Sequence, residues 1–158
     1  MIQADFILQA SRQDVVDSPR NKAILDGVAE AFPNAVLHFC SSDCPLKYQW
    51  MKFLPTASGL DTFWRELPPK IIGLLEDEQI LYFFSPSSPR LPKVLRTLPP
   101  TCLDKHGLPL FADHTGTNEK YLSLQCDSSD VRMLEKAFDL KAPTSRRWMQ
   151  FIIFLPVP

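Results

Sequence analysis

Three groups of side chains in this sequence could do chemistry. His38, Cys40 and Cys44 stand close together, and Cys102, His106 and His114 form a looser second set. Imidazole and thiolate are both good zinc ligands, so a metal centre is the first chemistry to weigh. The spacings do not build two matched CxxC-type knuckles, and on a helix His38 and Cys40 would point about 200° apart. The plainer reading is a surface histidine beside small, apolar thiols. A nucleophilic Cys–His pair is the second chemistry. It needs a thiol pKa lowered by its surroundings, and no spacing here selects which cysteine would meet which histidine. The third group is Ser11-Arg12-Gln13, on a polar connection between a strand-like run and a helix. An arginine on such a loop can reach a phosphate held by another domain and stabilise charge on a transferring phosphoryl group. Its plainer reading is an exposed arginine, or one paired with Asp14 or Asp17.

Other catalytic templates are missing from the sequence. There is no GxSxG, GxxxxGK[ST], HExxH or GxGxxG pattern. The five glycines, at 27, 59, 73, 107 and 116, are too scattered to assemble a phosphate cradle. Tryptophans 50, 64 and 148 and eleven phenylalanines lack interleaved basic residues, which reads as core packing rather than base stacking.

The elements that must position these groups follow from periodicity. Residues 2–9 alternate in a strand-like way, with Phe6 and Leu8 on one face and Ile7 on the other. Ser18 before Pro19 predicts a helix start, because the hydroxyl caps a free amide and proline suits the first turn. Ile24, Leu25, Val28, Phe32, Val36 and Leu37 then trace one helical face over 19–39. Pro33 predicts a kink or break near Phe32, with a second short helical piece to about Phe39. Residues 41–45 read as a turn, and 47–55 as a short helix or irregular apolar segment. A second helix is predicted over 60–77 around Phe63, Trp64, Leu67, Ile71, Leu74 and Leu75, with Pro68 and Pro69 inside it. Residues 79–84 form the clearest later strand. LPKVLRTLPP holds one or two helical turns between prolines, and DKHGLPLF a turn and a short extended piece. The third helix is predicted over 129–140, with Val131, Leu134, Ala137 and Phe138 inward and Ser128 or Ser129 as its cap. The fold class expected is α/β of the α+β type: a small mixed sheet, including 3–9 and 79–84, packed by about three proline-interrupted helices. A short echo between WMKFLP and WMQFIIFLP is too weak to be a repeat.

Composition limits the function classes. The chain has 158 residues, 45% of them apolar and 22% charged, which suffices for a packed core. Seventeen Lys and Arg against eighteen Asp and Glu leave a charge of −1, so the basic footprint of a nucleic-acid binder is missing. Fifteen prolines punctuate short elements throughout. No apolar run reaches the roughly 18 residues of a membrane span. The start MIQADFILQASR has no basic lead and meets Asp5 inside its apolar run, unlike a secretory signal. The expectations are therefore no membrane association, an intracellular location (cytoplasmic or nuclear), and free thiols at Cys40, Cys44, Cys102 and Cys126.

A family resemblance rests on the order of several blocks. QADFILQASRQDVVDSPRNKAILDGVAEAF resembles the segment that follows the ATP-binding domain in sacsin-like proteins. There a strand leads to an SRE-type motif and then to a helix of the RNxxLxDGIAxAF kind. YQWMKFLP, FWRELPPKIIGLLEDEQIL, LPKVLRTLPPTCLDKHGLPLF, EKYLS and SDVRMLEKAFDLKAP look like successive blocks of large fungal sacsin-like proteins, and are similar to NO VEIN-type proteins as well. The resemblance covers about residues 2–143. More distantly, the chain is similar to the middle domain of the ninety-kilodalton heat-shock chaperones.

The resemblance implies a chaperone-like, GHKL ATPase-associated segment that is a fragment of a larger protein and not an enzyme by itself. It implies that Arg12 contacts the γ-phosphate of ATP in trans, with Ser11 and Gln13 shaping its loop. The partner implied is an upstream ATP-binding domain, which would hold ATP and Mg, with no cofactor or metal in this chain. Gln13 stands where that family usually has glutamate, and Pro33 falls where its helix normally continues. On this reading, 1–143 is the middle or transducer segment and 144–158 an apolar tail, divergent or truncated. The alternative is a protein–protein interaction module or a decayed remnant with no nucleotide role. In the module reading, the tail stripe through Trp148, Phe151, Ile152 and Leu155 meets a protein partner.

Overall fold

The computed structural model describes residues 4–11, 14–58, 60–83, 88–110 and 121–142. The chain divides into two compact units, Met1–Ile80 and Leu81–Pro158. Its class is α/β of the α+β type, with three α-helices and a two-stranded antiparallel sheet among the described residues. Arg12, Gln13, His114 and the apolar tail 144–158 lie outside the described residues.

The first unit is built on α1, Pro19–Ser41. Ser18 is its N-cap in extended conformation, and its Oγ accepts from the Asn21 amide at 3.3 Å. The predicted start is therefore observed. Of the predicted kink or break, the break is absent, because the helix runs on through Pro33 to Ser41. The cause is burial. Asn21, Leu25, Ala29, Pro33, Val36 and Cys40 recur at three- and four-residue steps and form the inward stripe. Breaking the helix at Pro33 would turn Val36 and Cys40 out of that stripe. Their burial outweighs the roughly 3 kcal/mol that proline costs inside a helix. The next residue, Asn34, donates through Nδ2 to the Glu30 carbonyl at 3.1 Å, beside the Ala29 carbonyl whose amide donor Pro33 lacks.

Residues 47–55, expected as one short segment, form two 3-10 turns with Pro45–Leu46: Pro45–Tyr48 and Trp50–Phe53. Trp50 and Met51 are fully buried. The Trp50 indole donates to the Ile80 carbonyl at 3.3 Å, and the Cys40 thiol to the same oxygen at 3.4 Å. The second helix is shorter than the predicted 60–77. A 3-10 turn, Trp64–Glu66, leads into α2, Leu67–Leu75. Pro68 and Pro69 sit in the first turn of α2, where no amide donor is needed, so the pair starts the helix rather than interrupting it. Leu67, Ile71 and Leu75 are buried at four-residue steps, and α2 packs on α1.

In the second unit, β1 (Leu81–Tyr82) pairs antiparallel with β2 (Pro89–Arg90), Leu81 opposite Arg90 and Tyr82 opposite Pro89. Single bridges extend this pairing: Phe83 to Leu122 antiparallel, and Arg96 to both Tyr121 and Lys141 in parallel. The predicted strand 79–84 thus survives as a core of two residues plus a bridge, with Phe84 outside the described residues. Residues 3–9, expected in the sheet, contribute no strand where they are described; Leu8 makes one isolated bridge to Val15. Helix α3, Ser128–Phe138, buries Asp130, Leu134 and Phe138 on one face. Its N-cap is Asp127, not the expected serines, and no side chain caps it. It ends at Asp139 in left-handed conformation, φ 49°. No helix of the described residues is long and apolar enough to cross a membrane.

Candidate functional site

The loop ahead of α1 is the most constrained polar feature of the first unit. The chain folds back on itself between residues 7 and 16. The Gln9 amide donates to the Asp14 carbonyl at 2.9 Å, and the Val16 amide to the Ile7 carbonyl at 3.0 Å. The Asp14 carboxylate accepts from the Val15 amide at 2.8 Å. Ser11 and Asp14 flank Arg12 and Gln13 in sequence.

What holds both limbs is Asn21, in the first turn of α1 and fully buried. Its Oδ1 accepts from the Ile7 amide at 2.9 Å. Its Nδ2 donates to the Ile7 carbonyl at 2.8 Å and to the Val16 carbonyl at 2.7 Å. One amide side chain so satisfies three backbone groups of two limbs and fastens them to the helix that follows. Phe6 adds an apolar fastening, packing edge-on against Phe63 at 5.9 Å and Trp64 at 5.1 Å. Arg20 and Asp5 pair at 2.7 Å in solvent and add little.

Beside this loop lies a cleft of about 220 Å³. Asp14, Asp17, Glu66 and Lys22 supply its charge, and Val15, Leu25 and Phe63 its apolar walls. Lys22 pairs with Asp17 at 2.9 Å. The hydrogen bond and charge of Asp17, with a smaller contribution from Glu66, hold the Lys22 ammonium above its usual pKa, while burial acts the other way. Three carboxylates face one ammonium, so the cleft favours cations over anions.

The sequence motif and the structure meet at this loop only in part. Ser11 is described and exposed; Arg12 and Gln13 lie outside the described residues. Asn21, Phe6 and the charged cleft were not singled out from the sequence. Asn21 carries a legible signal, since it stands four residues before Leu25 in register with the buried stripe. A polar residue on an apolar stripe is a candidate for a buried hydrogen-bonding role.

The cysteine and histidine groups separate. Cys40 is buried, with its thiol pushed up from an ordinary 9.0 to about 11 by burial and, less, by the neighbouring Cys44. His38 is exposed two residues away. A nucleophilic or ligating thiol needs the opposite shift, so Cys40 is a packing residue. Burial, followed by the charges of Asp130 and Asp127, pushes Cys126 up to about 12. Among the described residues no three His, Cys, Asp or Glu side chains come together to hold a metal ion.

A second cleft, of about 400 Å³, belongs to the second unit. Leu98, Pro99, Leu103, Leu122, Leu124 and Val131 make it apolar. Thr97 lines it too, its hydroxyl donating to Glu135 at 2.7 Å. The chain matches no family model, no curated protein and no solved structure.

Proposed function

We propose that this chain is a non-catalytic transducer segment whose loop 7–16 offers Arg12 to the γ-phosphate of ATP held by a separate GHKL-type domain. The observation that carries the reading is the fastening of both loop limbs to α1 by Asn21. An arginine that completes another domain's phosphate site acts by geometry. Its loop must be fixed to the element that moves, so that closure of the two domains controls the reaction. The Asn21 bonds supply such a fixture. The sacsin-like order of SRQ, then RN, then an apolar helix supports the role of Arg12. ATP and Mg belong to the partner domain in this reading, and the chain by itself turns over nothing.

The test is the ATPase rate of a sacsin-like ATP-binding domain with and without this chain attached. The reading expects a higher rate with the chain, abolished by Arg12→Ala and lowered by Asn21→Ala. No gain on attachment, or a gain that Arg12→Ala leaves intact, rejects it.

The second reading is a protein-interaction module, favoured by the acid-lined cleft and by exposed Ile7 and Leu8 beside it. Its partner would be a basic, partly apolar segment. Asp14→Asn separates the two, because asparagine keeps an oxygen for the Val15 amide while removing one charge. It strengthens phosphate contact in the first reading and weakens a basic partner's binding in the second.

A further inference from the structure

We propose that the apolar cleft of the second unit is the docking site for the chain's own C-terminal apolar segment, residues 148–155. Its support is separate from the nucleotide reading and begins where the described chain stops. The Thr97 amide donates to the Lys141 carbonyl at 3.3 Å, and Arg96 bridges Lys141 in parallel. Thr97 itself lines the cleft. The last described residues, Lys141 and Ala142, therefore leave the fold at the cleft's edge.

The occupant is set by length and composition. Residues 143–147, PTSRR, are polar and reach about 17 Å when extended. The run that follows, WMQFIIFLP, is among the most apolar in the sequence. The spacer is long enough to cross from Lys141 to the cleft, and short enough to keep the apolar run at high local concentration there. Three segments of the chain give the cleft apolar lining: Leu98 and Pro99, then Leu122 and Leu124, then Val131 on α3. Leu124, in the cleft's lining, is 44% exposed, so it leaves apolar surface there open to a partner. The cleft's volume, about 400 Å³, is in the range that buries a few large side chains. Arg132 and Glu135 are the charged residues in its lining. Docking would bury the tail's Trp148, Phe151 and Ile152 against Leu124 and Val131, removing both apolar surfaces from water.

Limited trypsin digestion of the full chain tests this, read by mass spectrometry at Arg146 and Arg147. The expected result is slow cutting there in the wild type, compared with a free peptide of residues 144–158. Leu124→Glu puts a charge in the cleft lining without disturbing a buried position, and Phe151→Glu does the same from the tail. Each should speed cutting by about tenfold or more, because cleavage follows the population of the undocked tail. A dye that lights up on apolar surface should bind more to both variants. Circular dichroism checks that both keep the wild-type helix content, and Val131→Glu serves as the second cleft variant. Cutting in the wild type as fast as in the free peptide overturns the proposal. So does protection that the cleft variants leave unchanged, which would place the tail elsewhere. Protection that disappears on dilution, together with a dimer in sedimentation, assigns the cleft to a second copy's tail and overturns the intramolecular form.

Discussion

Removing the side chain of Asn21 should release the loop without melting the helix it sits on. Asn21→Ala deletes three hydrogen bonds, at 2.9, 2.8 and 2.7 Å. At about 1 kcal/mol net for each, the loss is about 3 kcal/mol. The Ile7 carbonyl keeps the Val16 amide as partner, while the Ile7 amide and the Val16 carbonyl each lose their bond to Asn21. Ile7 is 46% exposed, so water can replace part of what is lost, which holds the cost near this figure. At 1.4 kcal/mol per decade, the amides of Ile7, Gln9 and Val16 should exchange hydrogen about a hundredfold faster. Amides in the middle of α1, around Leu25 and Ala29, should keep their protection. Asn21→Asp sharpens the test. It keeps an oxygen for the Ile7 amide but sets a second oxygen against two carbonyls. The buried carboxylate is then disfavoured, and its folded pKa rises above the unfolded value of about 3.9. Between the two values the folded form binds more protons, so loop stability falls as pH rises and recovers on acidification through the folded pKa. Unchanged exchange at Ile7 and Val16 in Asn21→Ala, or an equal loss of protection along α1, would refute the reasoning.

Three other outcomes follow from the fold. Pro33→Ala should stabilise the first unit by about 1 kcal/mol or less in urea denaturation: about 3 kcal/mol from the restored helix bond and lost clash, less roughly 1.6 for two buried carbons and up to about 1 for a freer unfolded chain. A loss of more than about 1 kcal/mol would mean that the ring's packing outweighs its helix cost. Trp50→Phe should cost about 1–2 kcal/mol, because it removes the indole donor to the Ile80 carbonyl but leaves the Cys40 thiol bonded there; a neutral result in the same assay would show that the thiol bond suffices. Peptide mapping after alkylation at pH 8 should find Cys40 and Cys126 slowest to react, since their thiols are raised to about 11 and 12. Both folded values lie above the ordinary 9.0, so stability should be complete below that pH and decline as pH rises through about 11 to 12.

Local signals read well where a single residue decides the outcome. Ser18-Pro19 marks the start of α1 because hydroxyl and ring each serve a first-turn amide. Helix α3 is legible within two residues at each end, since its apolar positions repeat without interruption. Proline misleads where position matters more than identity. Pro33 sits in the buried stripe and the helix passes through it, whereas Pro68 and Pro69 open α2. The strand expected at 3–9 fails for another reason. Alternation of apolar residues promises a strand only if a neighbour supplies its ladder, and here the Asn21 side chain takes the Ile7 backbone groups instead. The loop motif itself was visible in the sequence. The residue that fixes the loop shows in the sequence only as a polar side chain on the apolar stripe; its partners are backbone atoms fourteen and five positions away, brought near only by the fold-back.

The charge beside the loop bears on how an arginine there could work. Lys22 and Arg20 pair with Asp17 and Asp5, which leaves Asp14 and Glu66 as the carboxylates of the cleft without an ion pair among those described. A carboxylate placed about 8 Å from a phosphate in water opposes it by about 0.5 kcal/mol before salt screening. A guanidinium in direct, partly desolvated contact with phosphate gains more than that. Under the proposed function, the carboxylates would not prevent an arginine–phosphate contact, but they would make the approach conditional on closure. At long range the cleft would repel a nucleotide, and at contact a guanidinium would prevail. A basic peptide would meet the opposite profile, attracted early and gaining little from closure. Salt is accordingly the variable on which the readings part. Rising ionic strength relieves the first barrier and removes the second attraction, so coupling to an ATP-binding domain should persist in salt that abolishes binding of a basic segment.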